Sequence, residues 1–327
     1  MNETAQPTVG FIGLGIMGAS MVANLQKAGF RTVVNDIRPQ VAERHVAAGA
    51  EWARTPKDVA RRSDVVCTCL PGLVEIEAVA LGPSGLVEGI RSGAAFFEMS
   101  TNSLELLKRL SAAFAAREAD VLDAPVSGGA KGAERGRLAI WVGGSKSAFE
   151  KFEPVLRAMG DRPTYVGPVG AGLVTKLVHN CASQSMQAAL AEVFAMGVKA
   201  GAEPLPLWEA IRQGSIGRRR TFDGLADEYL PAKFEPPSAA LRIIYKDMML
   251  ATGLARELGA PMRFANLALA DITEAMNRGW AERDARSVML LPQERAGVSI
   301  KVDPADVQDV LRRDPPAPSD TKRGSSA

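Results

Sequence analysis

Two histidines and three cysteines in 327 residues leave little room for metal or disulfide chemistry. With only His45 and His179 available, a multi-histidine metal site is excluded by count, and no metal is expected. Two of the cysteines form Cys67-Thr-Cys69 in an apolar run. Both thiols read as part of the core. The charge also lacks a sign: Lys+Arg 39 against Asp+Glu 37 asks for neither nucleic acid nor a strongly acidic partner. No run of about 20 apolar residues is free of polar interruption, so no membrane span is expected. The opening Met-Asn-Glu-Thr-Ala-Gln-Pro lacks the basic-then-apolar pattern of a signal peptide. These absences point to a cytoplasmic globular protein, long enough for two domains.

One absence is local. Between Arg162 and Glu192 the only formally charged residue is Lys176, and the stretch from Gly170 to about Lys199 reads as one long helix. A helix so poor in charge is expected to be buried on most sides. Lys176, His179/Asn180, Ser183/Gln184 and Gln187 nevertheless recur at three- and four-residue steps, which puts them on one stripe. A polar stripe on a buried helix needs partners, either another element or a cleft holding a ligand. For a lone helical lysine the commoner reading is snorkelling to the surface; the motifs elsewhere in the chain turn the reading toward an active site.

At the other end, the apolar run Thr8–Ile12 is followed by Gly13-Leu14-Gly15-Ile16-Met17-Gly18 and then by a helical pattern. The run Arg31–Asp36 reads as a second strand, and Asp36 follows Gly18 by eighteen residues. Glycines in this strand–helix context, with an acid about 20 residues on, match a dinucleotide-binding turn. Gly13 permits the tight turn, Gly15 lets a pyrophosphate approach the backbone, and Gly18 lets the helix pack closely, its N-terminus meeting the phosphate charge. Asp36 can accept from both ribose hydroxyls and repels a 2′-phosphate, which favours NAD over NADP; Arg38 is the residue that offsets this.

Further strands are expected at 64–71, 94–101 and 121–129, then at 138–144 and 164–167 around a helix at 146–159. In an open parallel sheet, ligands bind beyond the carboxyl ends of the strands. Leu70 and Pro71, Ser100 and Thr101, and Ser127 to Gly129 therefore fall where a cofactor and substrate should lie. After the long helix the patterns at 205–213, 237–258 and 264–278 are all helical. The fold class expected is an α/β dinucleotide-binding domain over 1–168 and an all-α domain over 169–297, joined by the long helix. Beyond Leu291 the sequence turns irregular, so 298–327 reads as an extension whose last part, Asp314–Ala327, is a disordered tail by composition.

Gly10–Gly18, Asp123-Ala-Pro-Val-Ser-Gly-Gly129, Gly170-Ala-Gly with Lys176 and Asn180, and Lys246-Asp247 together resemble the β-hydroxyacid dehydrogenases, the superfamily of 3-hydroxyisobutyrate dehydrogenase and tartronate semialdehyde reductase. The match runs in order over about residues 8–290. The resemblance implies a Rossmann domain followed by a helical domain, in a homodimer or homotetramer. It implies that Lys176 is the catalytic acid/base, that Ser127, Gly128 and Gly129 hold a substrate carboxylate, and that Asn180 orients the substrate. Thr101 and Lys246 would contact the cofactor. Asp284-Ala-Arg-Ser287-Val resembles the C-terminal motif of the family. His179 departs from it, standing where many members have asparagine, as does Arg137, where threonine is commoner.

The residues fit such a reaction on chemical grounds. Alcohol oxidation needs a hydride acceptor and a base for the hydroxyl proton, and the reverse needs an acid at the developing alkoxide. Desolvation on an apolar helix favours the neutral amine that a base requires. A short carboxylate suits Ser127 and the N–H groups that follow, because Gly128 and Gly129 carry no side chain to block its approach. Arg218–Arg220 reads as a solvated basic turn before it reads as a second anion clamp. The alternatives are a dinucleotide-binding regulator or scaffold without catalysis, and a related imine reductase. Loss or change of the lysine would signal either, and Lys176 and Asn180 are both present.

Overall fold

A computed structural model describes residues 6–199, 201–213, 224–257 and 262–313. It divides into two compact units, Met1–His179 and Asn180–Ala327. The boundary falls inside the long helix, Ala171–Lys199.

The first unit is built on nine strands: β1 (Val9–Ile12), β2 (Thr32–Asn35), β3 (Glu51–Trp52), β4 (Val65–Thr68), β5 (Ala95–Glu98), β6 (Asp120–Asp123), β7 (Val126–Ser127), β8 (Ala139–Gly143) and β9 (Arg162–Gly167). Their order is β3-β2-β1-β4-β5-β6-β8-β7, with β9 paired to β8. From β3 to β6 every pairing is parallel. Every residue of β1, β2, β4 and β5 is buried, as a parallel sheet covered on both faces requires; their centres are apolar, and Thr32, Asn35, Thr68 and Glu98 are the polar residues at strand ends. The chain leaves β1 toward β2 on one side and returns to β4 on the other. The carboxyl end of β1 is therefore a topological switch point, where an open α/β sheet leaves a crevice. Phe97 of β5 meets Phe152 of the helix Lys146–Met159 edge-on, with ring centroids 6.3 Å apart, fixing that helix to the sheet.

The expectation of one strand over 121–129 is corrected. Pro125 has no N–H for a ladder and splits the run into β6 and β7, and β7 pairs antiparallel with β8, Ser127 opposite Ala139. Ser127–Gly129 thus follow an antiparallel strand, while the parallel strand ends at Asp123.

The described residues of the second unit hold helices and one isolated bridge, Ala240 to Asp284. Helices occupy Pro204–Arg212, Leu241–Glu257 and Arg263–Asn277, near the expected spans. The buried carboxylate of Asp284 accepts from the backbone N–H and the hydroxyl of Ser238, which pins the chain just ahead of Leu241–Glu257. The helix Ala171–Lys199 departs from the expected burial, because Val174, Val178 and Met186 are exposed on it. Arg218–Arg220 and Asp314–Ala327 lie outside the described residues.

Up to Arg313 the extension is not irregular. Leu290–Ala296 and Pro304–Arg313 are helices. Asp303 caps the second by accepting from Ala305 N–H at 2.8 Å, and Pro304 sits where its missing N–H costs nothing. Ile300, Val302, Val307 and Val310 are buried, and Val302 N–H donates to the Leu230 carbonyl at 2.7 Å. Each such side chain is worth about 1.5–3 kcal/mol when fully buried. Truncation after Gly297 is therefore expected to lower the melting temperature of the protein by roughly 10 °C, at about 2–4 °C per kcal/mol for a unit of this size. An unchanged melting curve by circular dichroism would mean that the extension contributes no net stability.

Candidate active site

The turn after β1 has the geometry expected of its glycines. Gly13 has φ +94°, and a Cβ there would lie 2.3 Å from the Cys69 carbonyl oxygen. A Cβ on Gly18 would lie 1.8 Å from the Gly13 oxygen, so both positions admit only glycine. Gly15 faces open space and is the N-cap of the helix Ile16–Lys27. No side chain caps that helix and no acid lies in its first turn, an arrangement suited to a bound anion. A surface cavity beside it is lined by Leu14, Gly15, Ile16, Arg38, Gln40 and Arg44, among others.

Asp36 follows β2, and its carboxylate is already engaged. One oxygen accepts from Leu14 N–H at 2.7 Å and the other from Arg38 N–H at 2.9 Å. It therefore clamps the glycine turn to the end of β2. The Arg38 guanidinium stands 3.7 Å from it and is mostly exposed. Helix dipole, open glycine and flanking cavity fit the pyrophosphate and adenosine of a dinucleotide.

The ends of β4 and β5 are tied together by a residue that sequence reasoning passed over. Glu98 is fully buried and accepts from Ser100 N–H at 3.0 Å and from the amide of Asn102. Ser100 Oγ in turn accepts from Leu70 N–H at 2.8 Å. Leu70 and Pro71 are thereby joined to the segment carrying Thr101, which is itself buried.

Beyond β6, Gly128 and Gly129 adopt φ +134° and +60°, and Gly129 begins a short helix, Gly129–Glu134. Ser127 is half-buried. Asp123, only 1% exposed, holds the start of the long helix: one oxygen accepts from Gly170 N–H and the other from Leu173 N–H, each at 2.7 Å. Burial pushes its carboxyl above the ordinary value, and those N–H donors pull it back. Lys176, half-buried, follows within one turn. The His179 ring, on an exposed residue, lies tilted at 49° against Trp141 of β8, with centroids 5.1 Å apart.

In the second unit, the Asn180 amide donates to Asp247 at 2.5 Å. Lys246 Nζ lies 3.3 Å from the other oxygen of Asp247, outside hydrogen-bond geometry and so an ion pair. Asp247 is buried and holds both residues that the resemblance singled out there. Among the described residues no cluster of His, Cys, Asp or Glu has metal-binding geometry, and no helix is long and apolar enough to cross a membrane.

Residues 8–167 match the family model for the NAD binding domain of 6-phosphogluconate dehydrogenase, and residues 170–291 the model for the NAD-binding region of NADP-dependent 3-hydroxyisobutyrate dehydrogenase. A 2-(hydroxymethyl)glutarate dehydrogenase of Eubacterium barkeri is 33% identical over 89% of this chain and 97% of its own. The chain belongs to the β-hydroxyacid dehydrogenases. An NAD-dependent L-serine dehydrogenase of Pseudomonas aeruginosa is 34% identical over 86% of this chain and 97% of its own. The solved 3-hydroxyisobutyrate dehydrogenase of Salmonella typhimurium superposes with TM-score 0.77 at 28% identity, covering 88% of this chain and 100% of that one. This β-hydroxyacid dehydrogenase is thus an NAD(P)-dependent oxidoreductase that acts on the hydroxyl group of small hydroxy acids. Its C-terminal extension lies beyond the matched residues.

Proposed function

We propose that the enzyme interconverts a short 3-hydroxy acid and its semialdehyde, prefers NAD, and uses Lys176 as general acid/base. The observation that carries this is the Asp123 brace. It fastens the first turn of the lysine-bearing helix to the end of β6, which the chain leaves just ahead of β7 and Ser127–Gly129, and this supports a reading in which proton carrier and anion loop work together. The two curated relatives are named for serine and 2-(hydroxymethyl)glutarate, which both carry a primary hydroxyl β to a carboxylate.

Bound NAD(P) supplies the hydride acceptor or donor. Gly13, Leu14, Gly15, Ile16, Met17 and Gly18 receive its pyrophosphate, with Asp36 at the ribose and Leu70, Pro71, Thr101 and Lys246 as further contacts. In oxidation Lys176, as the neutral amine, takes the hydroxyl proton; in reduction its ammonium returns one to the developing alkoxide. Ser127 and the N–H groups of Gly128 and Gly129 hold the substrate carboxylate, and Asn180, its amide orientation fixed by Asp247, orients the substrate. A cytoplasmic homodimer or homotetramer completes the proposal. In the second unit, Met186 and, on Arg263–Asn277, Phe264 and Leu267 are exposed apolar side chains that a second copy would cover.

The test is a screen of L-serine, 3-hydroxyisobutyrate and 2-(hydroxymethyl)glutarate against their methyl esters, with both cofactors, followed by reduced-nicotinamide absorbance. The esters should lose roughly 10–100-fold in kcat/KM, mostly through KM, as befits a charged hydrogen-bonded contact of about 1.5–3 kcal/mol. Equal turnover of acid and ester would remove the carboxylate from the scheme, and a wild-type preference for NADP would overturn the role given to Asp36. Asp36→Ala is a poor probe of cofactor choice, because it also strips the Leu14 N–H of its acceptor.

A further inference from the structure

Asp123 has no part in hydride or proton transfer as described, yet it is a buried carboxylate between the two pieces of machinery. Its oxygens take the N–H groups of Gly170 and Leu173, which would otherwise be orphans at the start of Ala171–Lys199. The space around it admits no adjustment. A Cβ on Gly172 would fall 2.3 Å from the Trp141 carbonyl oxygen and 2.9 Å from Asp123 Oδ2. A Cβ on Gly143 would fall 2.7 Å from Asp123 Oδ1 and 2.7 Å from the Pro168 carbonyl oxygen. The end of β6, the end of β8 and the first helical turn therefore approach one another closely, with the Asp123 carboxylate at their junction.

We propose that Asp123 is a positioning residue for Lys176: it sets the depth and direction at which the long helix leaves the sheet, and so where the lysine amine stands relative to Ser127–Gly129. The inference rests on the reading of Lys176 as acid/base. Lys176 lies three residues past Leu173, a rise of about 4.5 Å along the helix, too short for a shift at the first turn to be absorbed. A misplacement of about 1 Å at a reacting group costs roughly 10²-fold in rate. Asparagine at 123 keeps one acceptor and turns an NH₂ toward a backbone N–H, so one of the two ties is lost.

The experiment is a double-mutant cycle in the full-length enzyme with NAD and the hydroxy acid favoured by the screen above, L-serine being the default. Asp123→Asn should lower kcat about 30–100-fold while KM for NAD stays within about two-fold, because the glycine turn and Asp36 are untouched. In a Lys176→Ala background the same change should cost less than about two-fold more, since a residue acting through the lysine has nothing left to position. If Asp123→Asn does not fold, Gly172→Ala, which keeps the carboxylate but drives the turn off the Trp141 carbonyl, should give the same kinetic pattern and the same non-additivity. Wild-type kcat in either folded variant, or losses that multiply with Lys176→Ala, would overturn the inference. The single variant Lys176→Ala judges the acid/base reading by itself. If it lowers kcat by about 100-fold or more and Asp123→Asn keeps wild-type kcat, only the positioning role falls; if it turns over normally, both fall.

Discussion

Lys176→Ala is expected to lower kcat by at least 100-fold while leaving the fold and NAD affinity in place. General acid–base assistance is worth about 10²–10⁴ in rate, and no other described side chain is assigned to the substrate hydroxyl. The proposed cofactor contacts Gly13–Gly18, Asp36 and Thr101 lie far from residue 176 in the chain, held by the Asp36 and Glu98 hydrogen bonds. Stability should hold, because alanine is the best helix former and the half-buried lysine gives up a charge that burial disfavours. Lys176→Arg should rescue little, since a guanidinium does not release its proton near neutral pH. Steady-state kinetics with NAD titration by fluorescence checks all of this. Near-normal kcat in the alanine variant would reduce Lys176 to a structural residue.

Gly13→Ala and Gly15→Ala are expected to fail in different ways. At Gly13 a methyl group meets the Cys69 carbonyl oxygen at 2.3 Å, and φ is +94°. The obstacle is backbone of β4's exit and cannot rotate away. The φ strain alone is worth about 1–3 kcal/mol, and with the clash the melting temperature should fall by roughly 10 °C or more. At Gly15 the same methyl group meets nothing within 4 Å and φ is −68°, so the free protein should melt as wild type. That methyl group nevertheless points into the space where a pyrophosphate would approach, and NAD affinity should drop by 10-fold or more, about 1.4 kcal/mol. Melting curves and NAD titrations of the two variants, side by side, separate fold from cofactor binding. Unchanged NAD affinity in Gly15→Ala would move the phosphate away from this turn.

What was legible in the sequence is what short-range geometry encodes. The glycine turn could be read because left-handed φ and close approach restrict those positions to glycine, and the pairing of Lys176 with Asn180 because residues four apart share a helix face. The alternation of strands and helices, and the helical second unit, followed from periodicity and run length. Pro304–Arg313 escaped notice because its apolar signal, Val307, Val310 and Leu311, is short and stands among charged residues beside a proline-rich tail.

The carboxylates that brace the site were decided by tertiary structure alone. Asp123 reaches Gly170 and Leu173 across 47 and 50 positions, and Asp247 reaches Asn180 across 67. Two of those three partners are backbone N–H groups, which every residue but proline carries, so no residue type in the sequence marks them. A buried carboxylate is costly unless its oxygens are satisfied, and the chain can meet that condition only once strand ends and helix starts have been brought together. The site's residue types are therefore written locally, while the positions of its side chains depend on hydrogen bonds that exist only in the folded chain.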